Sequence, residues 1–158
     1  MTMIIRTPCL RAAGTAAMNI RAAAVLIRGL TVLPSSHAGQ GEEAHGLWMT
    51  SQKDAVVQFD QCEGANTQAL CGRIVWDKDA GTPLDTCGVY VARLERWSAG
   101  LWRDGWAFDP RDKKTYRATL RVTNGVLHLR AYVGTEILGQ TEHFTRVQAI
   151  PPTPVCKT

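Results

Sequence analysis

The sequence predicts an all-β, antiparallel fold, either a barrel or a sandwich of about eight short strands. From Gly46 onward, short apolar or alternating runs are separated by turn residues, and no window has a convincing amphipathic helical period. Residues 115–133 alternate apolar and polar side chains on both sides of Asn124-Gly125, the strongest two-residue hairpin signal. Four cysteines follow residue 60, and they suggest disulfides that stabilise a small domain.

Each expected strand is a run of apolar or alternating residues bounded by turn residues. The strands are 47–50, 55–61, 70–76, 89–94, 102–108, 115–123, 126–133 and 142–148. Asp109-Pro110-Arg111-Asp112 predicts a turn, because proline presets φ and aspartate bonds nearby amides. The prolines between 151 and 154 cannot continue a central strand, so residues 151–158 are expected to form a tail after a domain at 39–150.

The first 38 residues have the composition of a signal peptide or an N-terminal extension. They hold four arginines and no acidic residue, and small residues at Ser36-His37-Ala38 suit cleavage after Ala38. Arg28 interrupts the apolar stretch, and Met18 is an alternative start to Met1. Because no run of about 20 apolar residues is free of arginine, we expect no membrane-spanning segment. The sequence therefore predicts a periplasmic or secreted protein.

Charge and cysteine counts both change when this segment is removed. The chain has 18 Lys plus Arg against 14 Asp plus Glu, and the four arginines before residue 39 account for the excess. The remaining chain is formally neutral, so nucleic acid is not an expected partner. Removing Cys9 leaves an even set of cysteines. The short separation favours a Cys62–Cys71 bond, which leaves Cys87 for Cys156, although reduced thiols are the alternative.

The residues that carry enzymatic chemistry are not arranged in a recognisable pattern. Ser51 and Ser98 lack a nucleophile elbow, and Cys87 has no histidine beside it in sequence. Aspartates and glutamates in the connections suit solvated turns better than paired acid and base catalysis. No metal-ligand spacing joins the histidines to the cysteines. We therefore expect no enzyme, no metal site and no cofactor, with an envelope enzyme as the least favoured hypothesis.

Several stretches, in order along the chain, carry a family resemblance. They are Gly46-Leu47-Trp48, Cys62 with residues 70–76, and residues 104–110, 114–116, 132–134, 138–142 and 145–147. Together they resemble a family of small uncharacterised exported bacterial proteins, domain of unknown function 2147. The chain departs from that pattern at Phe108, Lys113 and Phe144, which stand where tyrosine, glycine and tryptophan are more usual. The resemblance implies a single small lipocalin-like barrel and an unknown biochemical role.

Two residues distant in sequence look like a lipocalin feature. In that arrangement an arginine on the last strand, here Arg146, lies over a tryptophan on the first strand, here Trp48, and closes one barrel end. Such a cation–π contact contributes about 0.5 to 2 kcal/mol. We interpret both residues as structural, the alternative being two unrelated surface residues.

The functional hypothesis concerns the aromatic residues between 97 and 108. Trp97, Trp102, Trp106 and Phe108 are hypothesised to line a barrel mouth that binds a small, largely apolar ligand, although the simpler expectation for aromatic residues in a small domain is that they fill the core. The alternative is an envelope interaction module with a packed barrel and no ligand, using this aromatic segment or an outer face. That outer face carries Arg117, Arg121, His128, Arg130 and Tyr132. Neither hypothesis fixes the oligomeric state.

Overall fold

The computed structural model describes residues 41–64 and 68–157, so the predicted export segment 1–38 lies outside the described residues. Two short 3₁₀ helices, Glu42–Ala44 and Glu136–Leu138, accompany the strands. In chain order the strands are β1 (Gly46–Thr50), β2 (Ala55–Gln61), β3 (Leu70–Asp77), β4 (Tyr90–Leu94), β5 (Arg96–Ser98), β6 (Leu101–Asp109), β7 (Lys114–Thr123), β8 (Val126–Tyr132) and β9 (Gln140–Val147).

Eight of these strands form a closed antiparallel barrel, which confirms the predicted fold class. The order around the sheet is β4-β3-β2-β1-β9-β8-β7-β6, and pairing of Ala92 with Ala107 joins β4 to β6 and closes the ring. The ninth strand, β5, pairs with β6 beside this closure. Closure leaves the barrel strands without a free edge, which removes a common route to aggregation.

The closure depends on a bulge in β6. The register between β6 and β7 shifts between Trp102 and Gly105, where Asp104 has a φ of 58°. A bulge bends its strand, so the first half of β6 pairs with β5 and the second half with β4. A side chain at Gly105 would collide with the Arg93 carbonyl oxygen, so only glycine permits this approach of β4.

The barrel has two different ends. We call the end that carries the connections β1–β2, β3–β4, β6–β7 and β8–β9 the mouth, and the opposite end, with Glu42–Ala44, the packed end. The largest fully buried side chains inside the barrel are Trp48, Phe59, Leu70, Leu94, Leu120 and Leu127. All except Trp48 lie close to the connections β2–β3, β4–β6 or β7–β8, at the packed end. Burial of each large apolar side chain stabilises the fold by about 1.5 to 3 kcal/mol.

Both predicted disulfides are present. Cys62–Cys71 joins β2 to β3, with the two Cα atoms 4.9 Å apart. Cys87–Cys156 ties the C-terminal segment to the β3–β4 connection. The Trp76 indole also donates a hydrogen bond to the Thr153 carbonyl, at 3.2 Å, so the described part of the predicted tail is held in two places.

Among the described residues, no helix has the length and the apolar character that a membrane span requires.

Candidate functional site

The packed end is closed by the Trp48 and Arg146 side chains. The Trp48 indole is fully buried and donates a hydrogen bond to the Ala44 carbonyl at 2.8 Å. The Arg146 guanidinium lies 4.2 Å from the centre of the Trp48 ring. It also donates to the carbonyl of His45, at 2.7 Å, and to that of Glu43. These contacts hold the N-terminal 3₁₀ helix across the barrel end.

The opposite half of the barrel is a cup. A cavity of about 1250 Å³ opens at the mouth, and its volume exceeds the roughly 300–1,000 Å³ of typical ligand pockets. Its lining combines polar and charged residues with apolar and aromatic ones in nearly equal parts. The apolar and aromatic residues include Val57, Ile74, Val91, Tyr116, Leu129 and Phe144. Small side chains, Ala107 and Ala131, also line it, and they leave space where larger residues would fill the barrel. The interior is therefore packed at one end and hollow at the other.

An arginine spans the mouth. Arg111 lies in the β6–β7 connection, and Asp54 and Gln52 lie in the β1–β2 connection. In the strand order these two connections are separated by four strand positions in either direction, so they stand on opposite sides of the eight-stranded ring. The Arg111 guanidinium forms an ion pair with Asp54 and donates to Gln52 Oε1 at 3.0 Å. All three residues line the cavity.

The two partners of this ion pair differ in exposure. The Asp54 side chain is 8% exposed, whereas that of Arg111 is 62% exposed. The Thr50 hydroxyl donates to Asp54 Oδ1 at 2.6 Å and accepts from the Asp54 amide at 3.1 Å. Asp54 is thus a fixed, buried carboxylate, and Arg111 is a long side chain that reaches it from solvent.

A second buried carboxylate, Asp77, lies beside Asp54 at the mouth. Asp77 ends β3 and is the cross-strand partner of Ala55, the residue after Asp54. It is 5% exposed and also lines the cavity. Its oxygens accept hydrogen bonds from the Thr86 hydroxyl, the Thr86 amide and the Asp79 amide. Within the described part of the chain, no Lys, Arg or His nitrogen forms an ion pair with Asp77.

The four aromatic residues predicted at the mouth are not brought together. Phe108 lines the cavity, but Trp97, Trp102 and Trp106 are absent from its described lining. Trp102 is 6% exposed and points to the packed end, where its indole donates to the Gly41 carbonyl at 3.4 Å. Trp97 contacts the Trp102 ring edge to face, with the centroids 5.8 Å apart. Trp106 alternates with the inward-facing Ala107, so it lies on the outer face.

Strand geometry explains this difference. A strand rises about 3.3 Å per residue, so Trp102 and Phe108 are separated by about 20 Å along β6 and reach opposite barrel ends. The mouth residues that the prediction missed, Asp54, Asp77 and Arg111, lie beside strand ends in alternate connections. Alternate connections of a meander share one end of the barrel, so a topology drawn from the predicted strands could have grouped these three residues. The aromatic content of residues 97–108 gives no information about which residues share an end.

The outer arginine face is partly occupied by structural contacts. Arg130 donates to the carbonyls of Glu136 and Ile137 and to the Thr141 hydroxyl, at 2.7 to 2.9 Å. It therefore holds the β8–β9 connection.

Among the described residues, no three His, Cys, Asp or Glu side chains are grouped so that they could hold a metal ion.

The chain is similar to a protein family and to a solved structure. A family model for an uncharacterized protein conserved in bacteria, domain of unknown function 2147, matches residues 46–146. A solved protein from the human pathogen Helicobacter pylori, described as belonging to the lipocalin family, is 18% identical to the chain. That similarity covers 66% of this chain and 83% of the other, with a TM-score of 0.49. No curated protein sequence matches the chain.

A closed eight-stranded antiparallel barrel, packed at one end and hollow at the other, is a lipocalin-like fold. The family match covers well over half of the chain and includes all of the motifs on which the resemblance was based except Val147. The chain belongs to the bacterial family of domain of unknown function 2147.

Proposed function

We propose that this protein is an extracytoplasmic binding protein whose cup holds the apolar part of a small, largely apolar ligand. The observation that carries this proposal is the cavity of about 1250 Å³, whose lining includes the apolar and aromatic side chains of β2, β3, β4, β7, β8 and β9. Each methylene group that such a ligand buries contributes about 0.8 kcal/mol, offset by the cost of association. A chain of about ten methylenes would therefore contribute about 8 kcal/mol, which exceeds the lower estimates of that cost, about 4 kcal/mol.

Location outside the cytoplasm is supported by the cysteines and by the start of the sequence. Disulfides persist in the periplasm and outside the cell and are rare in the cytosol, and the barrel contains two of them in its described part. We propose that residues 1–38 direct export to the periplasm or beyond, that residues 39–150 form the binding domain, and that residues 151–158 act as its tethered tail.

The test uses the fluorescent apolar probe N-phenyl-1-naphthylamine. The full chain, purified with its disulfides intact, should bind the probe saturably, with about one site per chain. Ala131 is half-buried in the cavity wall, so Ala131→Trp should occupy part of the cup and weaken binding by about fivefold, or about 1 kcal/mol. The matched control is Ala149→Trp at an exposed position after β9. Equal affinities of the two variants would place the probe elsewhere and refute the proposed cup site.

A second candidate function is an envelope interaction module. Val133, Ile137 and Leu138 in the β8–β9 connection are 73%, 86% and 81% exposed, and neighbouring exposed apolar residues can mark a protein interface. This candidate predicts that Ile137→Ser, at the residue of the three that is absent from the described cavity lining, weakens crosslinking to an envelope protein while probe binding is retained. Unchanged crosslinking would exclude this surface as the interface.

A further inference from the structure

We propose that the ligand is a cationic amphiphile: its positively charged head group binds Asp54, beside Asp77, and displaces Arg111, while its apolar chain occupies the cup. This inference rests on the proposed function, because it assigns a head group to the ligand of the same cavity. It depends on the charges at the mouth, the burial of two carboxylates and the exposure of Arg111.

The two carboxylates are unusual in their environment. Asp54 and Asp77 are the buried acidic residues of the described chain, and both line the cavity. Counted over the whole residue, they are 6% and 5% exposed. Burial of an ionised carboxylate is costly unless a cation or several hydrogen bonds compensate it. Asp77 has three neutral donors and no cationic partner among the described residues, whereas Asp54 forms an ion pair with Arg111. Of the two buried carboxylates, Asp77 therefore lacks a positively charged partner.

Arg111 is the partner that a ligand can replace. Its side chain is 62% exposed, so water competes for the guanidinium, and holding this long side chain in one rotamer costs conformational entropy. Asp54, in contrast, is held by the Thr50 hydroxyl. An ammonium group with an apolar chain would keep the charge pairing of Asp54 and also bury the chain in the cup.

The electrostatic field of the whole mouth is negative, which also favours a cationic head group. The described cavity lining contains seven carboxylates, and its positive charges are Arg111 and Lys113. Carboxylates around a cleft with apolar walls attract cations and repel anions. An anionic amphiphile would have to bind Arg111 against this field, so the two ligand classes predict opposite effects of the same substitutions.

The experiment measures calorimetric binding of decylammonium, decanol and decanoate at pH 7, each below its micelle concentration. The wild-type chain should bind decylammonium most tightly and decanoate most weakly. Asp54→Asn should weaken decylammonium binding by about tenfold, the value of one charge-assisted hydrogen bond, and leave decanol binding unchanged. Arg111→Gln should strengthen decylammonium binding, because it removes the internal competitor.

The matched controls are Asp104→Asn and Arg96→Gln, which break an exposed ion pair that is absent from the described cavity lining. Neither should change binding of any of the three probes. Circular dichroism checks the fold, and Asp77→Asn is the second test variant if Asp54→Asn unfolds; it should also weaken decylammonium binding.

Three results would overturn the inference. Decanoate could bind most tightly and lose affinity in Arg111→Gln, which would assign an anionic head group. Decylammonium affinity could be unaffected by both Asp54→Asn and Asp77→Asn, which would place the head group elsewhere. If none of the three probes binds, decanol included, the proposed function fails together with the inference.

Discussion

Gly46 leaves the space that Arg146 needs in order to close the packed end. Its φ is 118°, a conformation that glycine adopts freely, and a Cβ atom there would lie 2.6 Å from Arg146 Nη1. The Arg146 side chain therefore approaches the Trp48 ring through space that only glycine leaves open. The Gly-x-Trp motif and the distant arginine are parts of one contact.

Gly46→Ala should lower the free energy of unfolding more than Gly64→Ala. Both glycines have a φ near 119°, so both substitutions share the backbone strain. Apart from its chain neighbours, no described residue lies within 4 Å of the Cβ position at Gly64. Gly46→Ala should lose about 1 to 3 kcal/mol more unfolding free energy than Gly64→Ala, because it displaces the cation–π contact and the hydrogen bonds of Arg146. Urea unfolding of both variants measures it, and equal losses would mean that Arg146 adapts at no cost.

At the scale of elements, most strands were predictable because the barrel has one buried and one exposed face. Alternation over residues 115–133 gave β7 and β8 within one residue of their observed ends, joined by the Asn124-Gly125 turn. β5 was not predicted, because its three residues have no alternation long enough to detect. It exists through pairing with the bulged half of β6, and neither the bulge nor that pairing has a local sequence signal.

The β8–β9 pair contains a histidine contact that should make stability depend on pH. His128 and His143 are cross-strand partners, with the ring centroids 4.8 Å apart. Burial lowers the pKa of His128 below its usual value, and the positive charges of His143 and Arg121 lower it further. Protonation is thus less favourable in the folded chain, so stability should fall as the pH drops below the unfolded pKa of about 6.5.

His128→Gln should reduce this loss of stability at acid pH. Between pH 7 and pH 5 the free energy of unfolding should fall less steeply in the variant than in the wild type, since the variant lacks the disfavoured protonation. Urea unfolding at a series of pH values gives both curves. If the two plots of unfolding free energy against pH were parallel, protonation of His128 would not be a source of the acid instability, because carboxylates elsewhere contribute equally to both proteins.

At the scale of the whole molecule, one disulfide connects the C-terminal segment to the mouth. Cys87 and Cys156 are separated by 69 residues. Asp85 and Thr86, which directly precede Cys87, line the cavity. In the chain-entropy model a loop of that length contributes about 4 kcal/mol, against about 3 kcal/mol for Cys62–Cys71. This bond therefore supports both global stability and the shape of the binding cup.

Replacement of both Cys87 and Cys156 by serine should lower the unfolding free energy more than the same change at Cys62 and Cys71. It should also weaken binding of N-phenyl-1-naphthylamine under conditions where the barrel stays folded, because the β3–β4 connection loses its tether. The Cys62/Cys71 variant is the control for binding, since that bond lies at the packed end. Equal probe affinity in the two variants would show that the tether does not shape the mouth.

The hollow half of the barrel could not be predicted from the sequence. Whether a barrel of this size is filled depends on how side chains from several strands meet, and small residues such as Ala107 and Ala131 look like ordinary core residues in the sequence. The family motifs predicted the fold and the Trp48–Arg146 pair. The charged mouth requires the ring order of the strands, which places Asp54 opposite Arg111.

The most direct test of the central claim is mass spectrometry of the full chain expressed in a bacterial host and purified with its disulfides intact. Native and denaturing spectra of one sample are compared, first as purified and then after addition of decylammonium and decanol. We predict one added molecule per chain in the native spectrum, lost on denaturation and reduced in Ala131→Trp. Identical native and denatured masses, with no adduct of either amphiphile, would contradict the claim that the cup binds an apolar ligand.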